Sequence, residues 1–164
     1  YELDELAAIV RRSAGILGVR LEPGGAEAIA QRARGTPRIA NRLLRNVRDF
    51  AEVIGRGVID APIVENTCER LGVDALGLEP MDRRLLRTII EVYEGGPVGI
   101  EALAATLAEP RDTLEDVYEP FLLQRGLLSR TPRGRSVTRA GYRHLGIEPD
   151  HSASRGGGQG SLPL

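Results

Sequence analysis

The stretch RDTLEDVYEPFLLQRGLLSRTPRGRSVT, residues 111–138, decides the fold of the second half of the chain. Residues 111–124 are typical of a helix, and two short runs at residues 126–130 and 135–138 flank the sequence Thr131-Pro132-Arg133-Gly134. Proline and glycine between two such runs are typical of a hairpin turn. The stretch therefore predicts a helix followed directly by a small β-hairpin.

The residues before this stretch predict two further helices. The first covers Met81 to Tyr93, with leucine and isoleucine side chains on one face, and Gly95-Gly96-Pro97 ends it. A short helix over residues 100–108 follows, and a turn at Glu109-Pro110 leads into the next helix. This order is that of a helix-turn-helix, so residues 77–149 are predicted to be a winged-helix domain whose hairpin is the wing.

The first 74 residues predict a different architecture, a small bundle of four helices joined by short turns. The third helix has the clearest pattern, because Thr36-Pro37 suits a helix start and apolar residues recur every three or four positions as far as Ile54. The other three are predicted over residues 2–14, from about Pro23 to just before Gly35, and from Asp60 to Gly72. No strand is predicted here, so the chain is expected to be mainly α.

Composition excludes several classes of protein. The 164 residues are 41% hydrophobic and 27% charged, with a net charge of -1, as in ordinary soluble globular proteins. No apolar run approaches the roughly 20 residues that span a bilayer, and no secretory leader opens the sequence, so we expect a cytoplasmic location. Residues 150–164 are rich in Gly and Ser, and we expect this tail to be disordered.

The residue types present also limit the chemistry. Cys68 is the only cysteine, so an internal disulfide is impossible and a metal site is not expected. All 22 basic residues are arginine, which leaves no lysine for a Schiff base or a phosphate-binding P-loop. The sequence begins at Tyr1 rather than Met, so we expect it to be part of a longer protein.

The small net charge conceals an asymmetry in the second half of the chain. Residues 82–119 hold nine acids and four arginines, whereas residues 121–147 hold six arginines and no acid. These six are Arg125, Arg130, Arg133, Arg135, Arg139 and Arg143. A basic hairpin attracts phosphate, which predicts nucleic-acid binding by the wing, although arginines on a hairpin can also be merely solvated.

The helix at residues 111–124 is a poor candidate for reading bases. It carries four acids, which repel the DNA backbone, and Pro120 interrupts it. The acids are Asp112, Glu115, Asp116 and Glu119. We therefore expect contacts from the wing and from Arg111, made to phosphates or the minor groove and independent of sequence. Arg111 can equally form an ion pair with a nearby carboxylate.

Arg38 lies in the first turn of the third predicted helix, where a helix N-terminus and a guanidinium together suit an anion. The surrounding run ARGTPRIANRLLR, residues 33–45, with VRDFA just after it, resembles the sensor-2 region of the RuvB family of Holliday-junction branch-migration motors. Four later stretches resemble the same family in the same order. They are MDR at residues 81–83, GGPVG at 95–99, EDVYEP at 115–120 and RTPRGR at 130–135.

The resemblance covers residues 1 to about 149 and implies a role for each part. Residues 1–74 would be the lid-like small domain of an AAA+ ATPase, and residues 77–149 a DNA-binding head. Arg38, as the sensor-2 arginine, would contact the phosphates of ATP or ADP, with Tyr1 near the nucleotide. Arg130 and Arg135 would contact DNA, with Arg133 and Arg111 as further candidates.

The resemblance also implies properties of the intact protein. The family's large ATPase domain, which binds ATP and Mg2+, has no counterpart among these residues, so we expect them alone not to hydrolyse ATP. The intact protein would be a homohexamer that drives branch migration in DNA recombination and repair, with RuvA and RuvC as partners.

Two other hypotheses remain open at this point. A non-enzymatic winged-helix transcriptional regulator with a helical dimerisation module would form a symmetric dimer and bind specific bases. A winged helix used for protein contacts would leave the wing arginines unengaged.

Overall fold

The computed structural model describes residues 1–54 and 56–149, and the chain divides into two compact units between Arg83 and Arg84. Most of the described residues are helical, which confirms the mainly α prediction. None of the helices in these two ranges is long and apolar enough to cross a membrane. The predicted tail, residues 150–164, lies outside the described residues.

Four helices build the core of the first unit. They are α1 (Leu3–Leu17), α2 (Gly25–Gln31), α3 (Pro37–Val53) and α4 (Ala61–Leu71). Ile29, Leu44 and Val64 have no exposed surface, and Cys68 lies in the same core. The third helix begins as the sequence predicts, with Thr36 before it and proline in its first turn.

Two short strands in the first unit show that the prediction of no strand was wrong. β1 (Arg20–Leu21) pairs in parallel with β2 (Val58–Ile59). The amide of Glu22 extends this pairing by donating to the carbonyl oxygen of Ile59 at 2.8 Å. A strand of two residues is too short to show the alternation of apolar and polar residues by which strands are recognised.

The second helix is shorter than predicted at both ends. It begins at Gly25 rather than near Pro23, because Gly24 has a left-handed φ of 89° that a right-handed helix cannot include. It ends at Gln31, and Arg34 and Gly35 then adopt left-handed φ angles of 57° and 69°. A left-handed backbone cannot continue a helix, so a loop separates α2 from α3.

Helix α5 (Pro80–Tyr93) begins in the first unit and continues into the second. The second unit then contains α6 (Ile100–Leu107), α7 (Arg111–Thr113), α8 (Glu119–Gln124) and α9 (Arg139–Leu145), with strands β3 (Leu128–Thr131) and β4 (Gly134–Val137). Its core includes Leu86, Leu103 and Leu122. The order of helices followed by an antiparallel hairpin confirms the predicted winged helix.

The helix predicted over residues 111–124 is interrupted by a π-helical segment. Residues Leu114–Tyr118 form this wider turn between α7 and α8. Pro120 has no N–H to donate to the carbonyl four residues earlier, and its ring would clash with that carbonyl in a regular α-helix. A widened turn accommodates the ring without ending the helical run.

Residue Val98 adds a third strand position to the wing, beside β4. Its amide and carbonyl exchange two hydrogen bonds with those of Arg135, at 3.0 and 2.8 Å. The close approach requires glycine opposite it, because a Cβ on Gly134 would lie 2.3 Å from the Val98 oxygen, and Gly134 has a φ of 131°. The GGPVG stretch therefore both ends a helix and covers one edge of the hairpin.

We expect Gly134→Ala to destabilise the second unit by about 2 kcal/mol or more, since both the φ angle and the contact with Val98 resist a side chain. Gly99→Ala is the control, because no atom lies within 4 Å of its added Cβ and its φ is negative. Urea denaturation of both variants measures the difference. Equally small losses of stability in the two variants would contradict the close approach of Gly134 to Val98.

Candidate functional site

Two arginines at the tip of the wing are open to solvent. Arg130 is the last residue but one of β3 (Leu128–Thr131), Arg133 lies in the turn that follows, and both are exposed. The hydroxyl of Thr131 fixes this turn by accepting from the Arg133 amide at 3.3 Å and donating to the Gly134 carbonyl at 3.1 Å. Among the described residues neither arginine has an ion-pair partner. The tip thus presents two uncompensated positive charges on a constrained turn.

The structure places Arg135 differently from the expectation that it faces DNA. Its side chain is only 8% exposed, and its guanidinium grips Glu119, with Nε 2.6 Å from Oε1 and Nη2 3.4 Å from Oε2. Glu119 is itself 1% exposed. A bidentate pair of this kind has strong, directional hydrogen bonds. In this conformation Arg135 joins the hairpin to helix α8, and the Nε and Nη2 atoms of its guanidinium are occupied by carboxylates.

Pairing across the hairpin explains why Arg135 needs this partner. Arg130 and Arg135 are directly opposite in the β3–β4 register, so their side chains share one face. Like charges at such positions are destabilising. The buried carboxylate of Glu119 neutralises Arg135, so Arg130 can stay charged and exposed at the paired position on the same face.

Arg111 forms ion pairs with nearby carboxylates, which is one of the two possibilities that the sequence left open. Its Nη1 donates to Glu101 Oε1 at 2.6 Å and its Nε to Glu115 Oε1 at 3.1 Å. The same Glu115 oxygen lies 3.5 Å from Arg135 Nη2. The hydrogen bonds that Arg111 donates to Glu101 and then to Glu115 raise the pKa of Arg111 above its usual value. Glu115 therefore joins two of the predicted DNA-contacting arginines in one network.

The acidic character of the helix is smaller at its surface than the sequence suggests. Of its four acids, Glu119 is buried and Glu115 is paired, which leaves Asp112 and Asp116 exposed. Sequence reasoning treated all four as surface charges and did not identify Glu101 as a partner. No spacing rule links Glu119 to Arg135, since they lie 16 residues apart and meet only when the hairpin folds back onto the helix.

In the first unit, Arg38 is exposed in the first turn of α3, as expected of an anion-contacting side chain. Among the described residues it forms no ion pair. The Thr36 hydroxyl bonds to the Arg34 carbonyl at 3.2 Å instead of capping the helix, so the first amides of α3 have no side-chain acceptor. Tyr1 is 72% exposed, and no hydrogen bond joins it to Arg38 within the part of the chain described.

A buried ion pair fixes the loop that precedes Arg38. Arg34 donates to both carboxylate oxygens of Asp82 at 2.5 and 3.3 Å, with side-chain exposures of 8% and 0%. Asp82 also accepts from the Glu79 amide at 2.8 Å, at the start of α5. Burial raises the pKa of Asp82, and the hydrogen bond from Arg34 opposes that shift. The position of this loop, and so of Arg38, depends on a pair that spacing does not reveal.

Arg135→Ala should lower the free energy of unfolding by about 3–5 kcal/mol, because it leaves Glu119 as a buried, unpaired carboxylate. Arg130→Ala, at the position on β3 that pairs directly with Arg135, removes an exposed side chain with no described ion-pair partner and should change it by less than about 0.5 kcal/mol. Urea denaturation followed by circular dichroism measures both. An unchanged free energy of unfolding in Arg135→Ala would show that the pair with Glu119 does not stabilise the fold.

Comparisons with known proteins match consecutive parts of the chain. The family model described as the RuvB AAA lid domain matches residues 1–74, and that of the RuvB C-terminal winged helix domain matches residues 75–146. A curated relative, the Holliday junction branch migration complex subunit RuvB of Paramagnetospirillum magneticum, is 57% identical over 149 residues. The match covers 91% of this chain and 43% of that protein.

Solved structures agree with the family models. The RuvB Holliday junction branch migration motor of Thermotoga maritima matches with a TM-score of 0.88 and 52% identity, covering 90% of this chain and 50% of that one. A mutant of the same protein matches at 51% identity with the same TM-score and coverage.

The chain thus spans about half the length of the relatives it matches, or somewhat less. Both halves of the chain match parts of one family in the order of that family's domains, so the hypothesis of a non-enzymatic transcriptional regulator is not supported. The identity, the coverage and the two consecutive family matches all lead to one conclusion: this chain belongs to the RuvB family.

Proposed function

We propose that the wing of the second unit binds the phosphate backbone of duplex DNA at Holliday junctions, without preference for sequence. The observation that carries this proposal is the exposure of Arg130 and Arg133 at the hairpin tip, with no described carboxylate to neutralise either. Guanidinium groups form charge-assisted hydrogen bonds with phosphate oxygens, and positive charge on a protein attracts the DNA backbone. Arg135 would act as a positioning residue, because its pair with Glu119 joins the hairpin to helix α8.

We further propose that the first unit responds to nucleotide through Arg38. Its guanidinium is exposed, unpaired among the described residues and next to uncapped amides, which together favour a phosphate. ATP or ADP would be held mainly by a large ATPase domain, which would also bind Mg2+. Tyr1 would lie beside the nucleotide at the junction with that domain. A moving Arg38 would then change the position of the lid as phosphate leaves.

The wider proposal places these two units in an ATP-driven motor for branch migration during DNA recombination and repair. The motor would be a homohexamer in the cytoplasm and would act with RuvA and RuvC. A relative named as a subunit of a branch migration complex supports action within an assembly.

The DNA proposal is tested by titrating the chain with short duplexes of random sequence and with four-way junctions at several salt concentrations. Arg130→Ala and Arg133→Ala should each weaken binding to every sequence about equally. Each should reduce the slope of log K against log salt by roughly 1, because one phosphate contact is lost.

Arg12→Ala is the matched control, since Arg12 is an exposed arginine of the first unit with no ion pair among the described residues. Its slope should equal that of the parent chain. Unchanged slopes in both wing variants would overturn the DNA proposal and favour a wing used for protein contacts. A loss of affinity for duplexes of only one sequence would contradict binding to the DNA backbone.

The nucleotide proposal is tested in a longer protein that includes the large ATPase domain. Arg38→Ala should lower the rate of ATP hydrolysis by about 10²-fold, because a charged contact to phosphate is lost. Its thermal unfolding midpoint should stay unchanged, because Arg38 is exposed. Arg45→Ala, another exposed arginine of α3, should leave both quantities unchanged. Normal hydrolysis by the Arg38 variant would remove this residue from the nucleotide site.

A further inference from the structure

A chain of five charged side chains runs from the interior of the second unit to its surface. The order is Glu119, Arg135, Glu115, Arg111 and Glu101, and each neighbour in it is joined by at least one contact of 3.5 Å or less. Exposure of the side chains rises along the same order: 1%, 8%, 24%, 50% and 75%. Burial fixes the side chains of Glu119 and Arg135, whereas the side chain of Glu101 is mostly surrounded by solvent.

Glu101 differs from the other two carboxylates in what holds it. Glu119 grips a buried guanidinium with both oxygens, and Glu115 contacts two arginines through one oxygen. Glu101 has a single described ion-pair partner, Arg111, at 2.6 Å. An exposed pair of this kind contributes little stability, so a competing anion can replace the carboxylate at small cost.

The position of Glu101 makes its release easy. It lies in the first turn of α6 (Ile100–Leu107), where a negative charge is favoured by the helix dipole whether or not Arg111 is bound. Arg111 keeps its bond to Glu115 when Glu101 leaves, and that bond holds the guanidinium at the surface. A phosphate oxygen can accept from Nη1 in the place of the carboxylate oxygen.

We propose that Glu101 is a built-in competitor for DNA: it occupies the position on Arg111 that a backbone phosphate takes when the second unit binds a duplex. The inference rests on the proposed DNA binding of the wing and adds a residue that tunes it. Each binding event exchanges one carboxylate for one phosphate on Arg111. Affinity is thereby reduced at a contact that carries no sequence information, which suits a protein that must release and rebind DNA.

The test measures the affinity of the chain for a short duplex of random sequence at low salt. Glu101→Gln should bind about three- to tenfold more tightly than the parent, because the phosphate no longer displaces a charged competitor. Asp116→Asn is the matched control: it removes one exposed negative charge from the same unit, and Asp116 has no described arginine partner. Its gain in affinity should be clearly smaller.

The decisive measurement repeats both substitutions in an Arg111→Ala background. There the effect of Glu101→Gln should fall to that of Asp116→Asn, since the position for which Glu101 competes no longer exists. The thermal unfolding midpoint of Glu101→Gln should match that of the parent, which separates the effect from one on folding.

Two results would overturn the inference, and they differ from failure of the proposed function. Equal gains from Glu101→Gln and Asp116→Asn in the parent background, or an undiminished gain without Arg111, would show that Glu101 acts only through net charge. In either case a smaller salt slope in Arg130→Ala than in the parent chain would still support the wing as the DNA-binding element. A parent chain that binds no DNA at all would overturn both.

Discussion

The bidentate pair between Arg135 and Glu119 is the interaction on which the second unit depends. It joins strand β4 of the hairpin to helix α8. The backbone of Val98 pairs with the edge of β4 that faces away from β3. A four-residue hairpin strand has little apolar area of its own, so its orientation comes from these two attachments. The exposed arginines at the tip therefore project from a rigid element, and an ordered charge loses less entropy on binding than a mobile one.

Much of the fold follows from local patterns in the sequence. Helical periodicity, proline in the first turn of α3 and the Thr-Pro-Arg-Gly turn predicted the order of the helices and the presence of the hairpin, because each depends on residues near one another in the chain. The bounds of α2 were predicted less well. The two-residue strands and the π-helical turn were missed. The former depend on backbone pairing between distant residues, and the latter on how the chain accommodates Pro120 within a continuing helix.

The sequence indicated which types of residue form the candidate site, but it did not indicate which of them contact one another. The sequence identified a basic hairpin and an acidic helix, and it treated them as separate surfaces of opposite charge. Folding brings Arg135 and Arg111 onto the acids of that helix and of α6, which cancels charge in the middle of the surface and leaves it at the tip. A count of charges along a chain cannot show which are neutralised by partners 10 or 16 residues away.

The open side of β3 has a consequence for solubility. Within the described residues, β4 has neighbours on both sides, at β3 and Val98, but β3 has a ladder partner only on its β4 side. An unpaired strand edge invites a strand from another molecule, and a charged side chain on a short edge strand is a common protection against such association. Arg130 lies on this edge. The positive charge that is proposed to bind phosphate would also discourage two copies of the hairpin from pairing edge to edge.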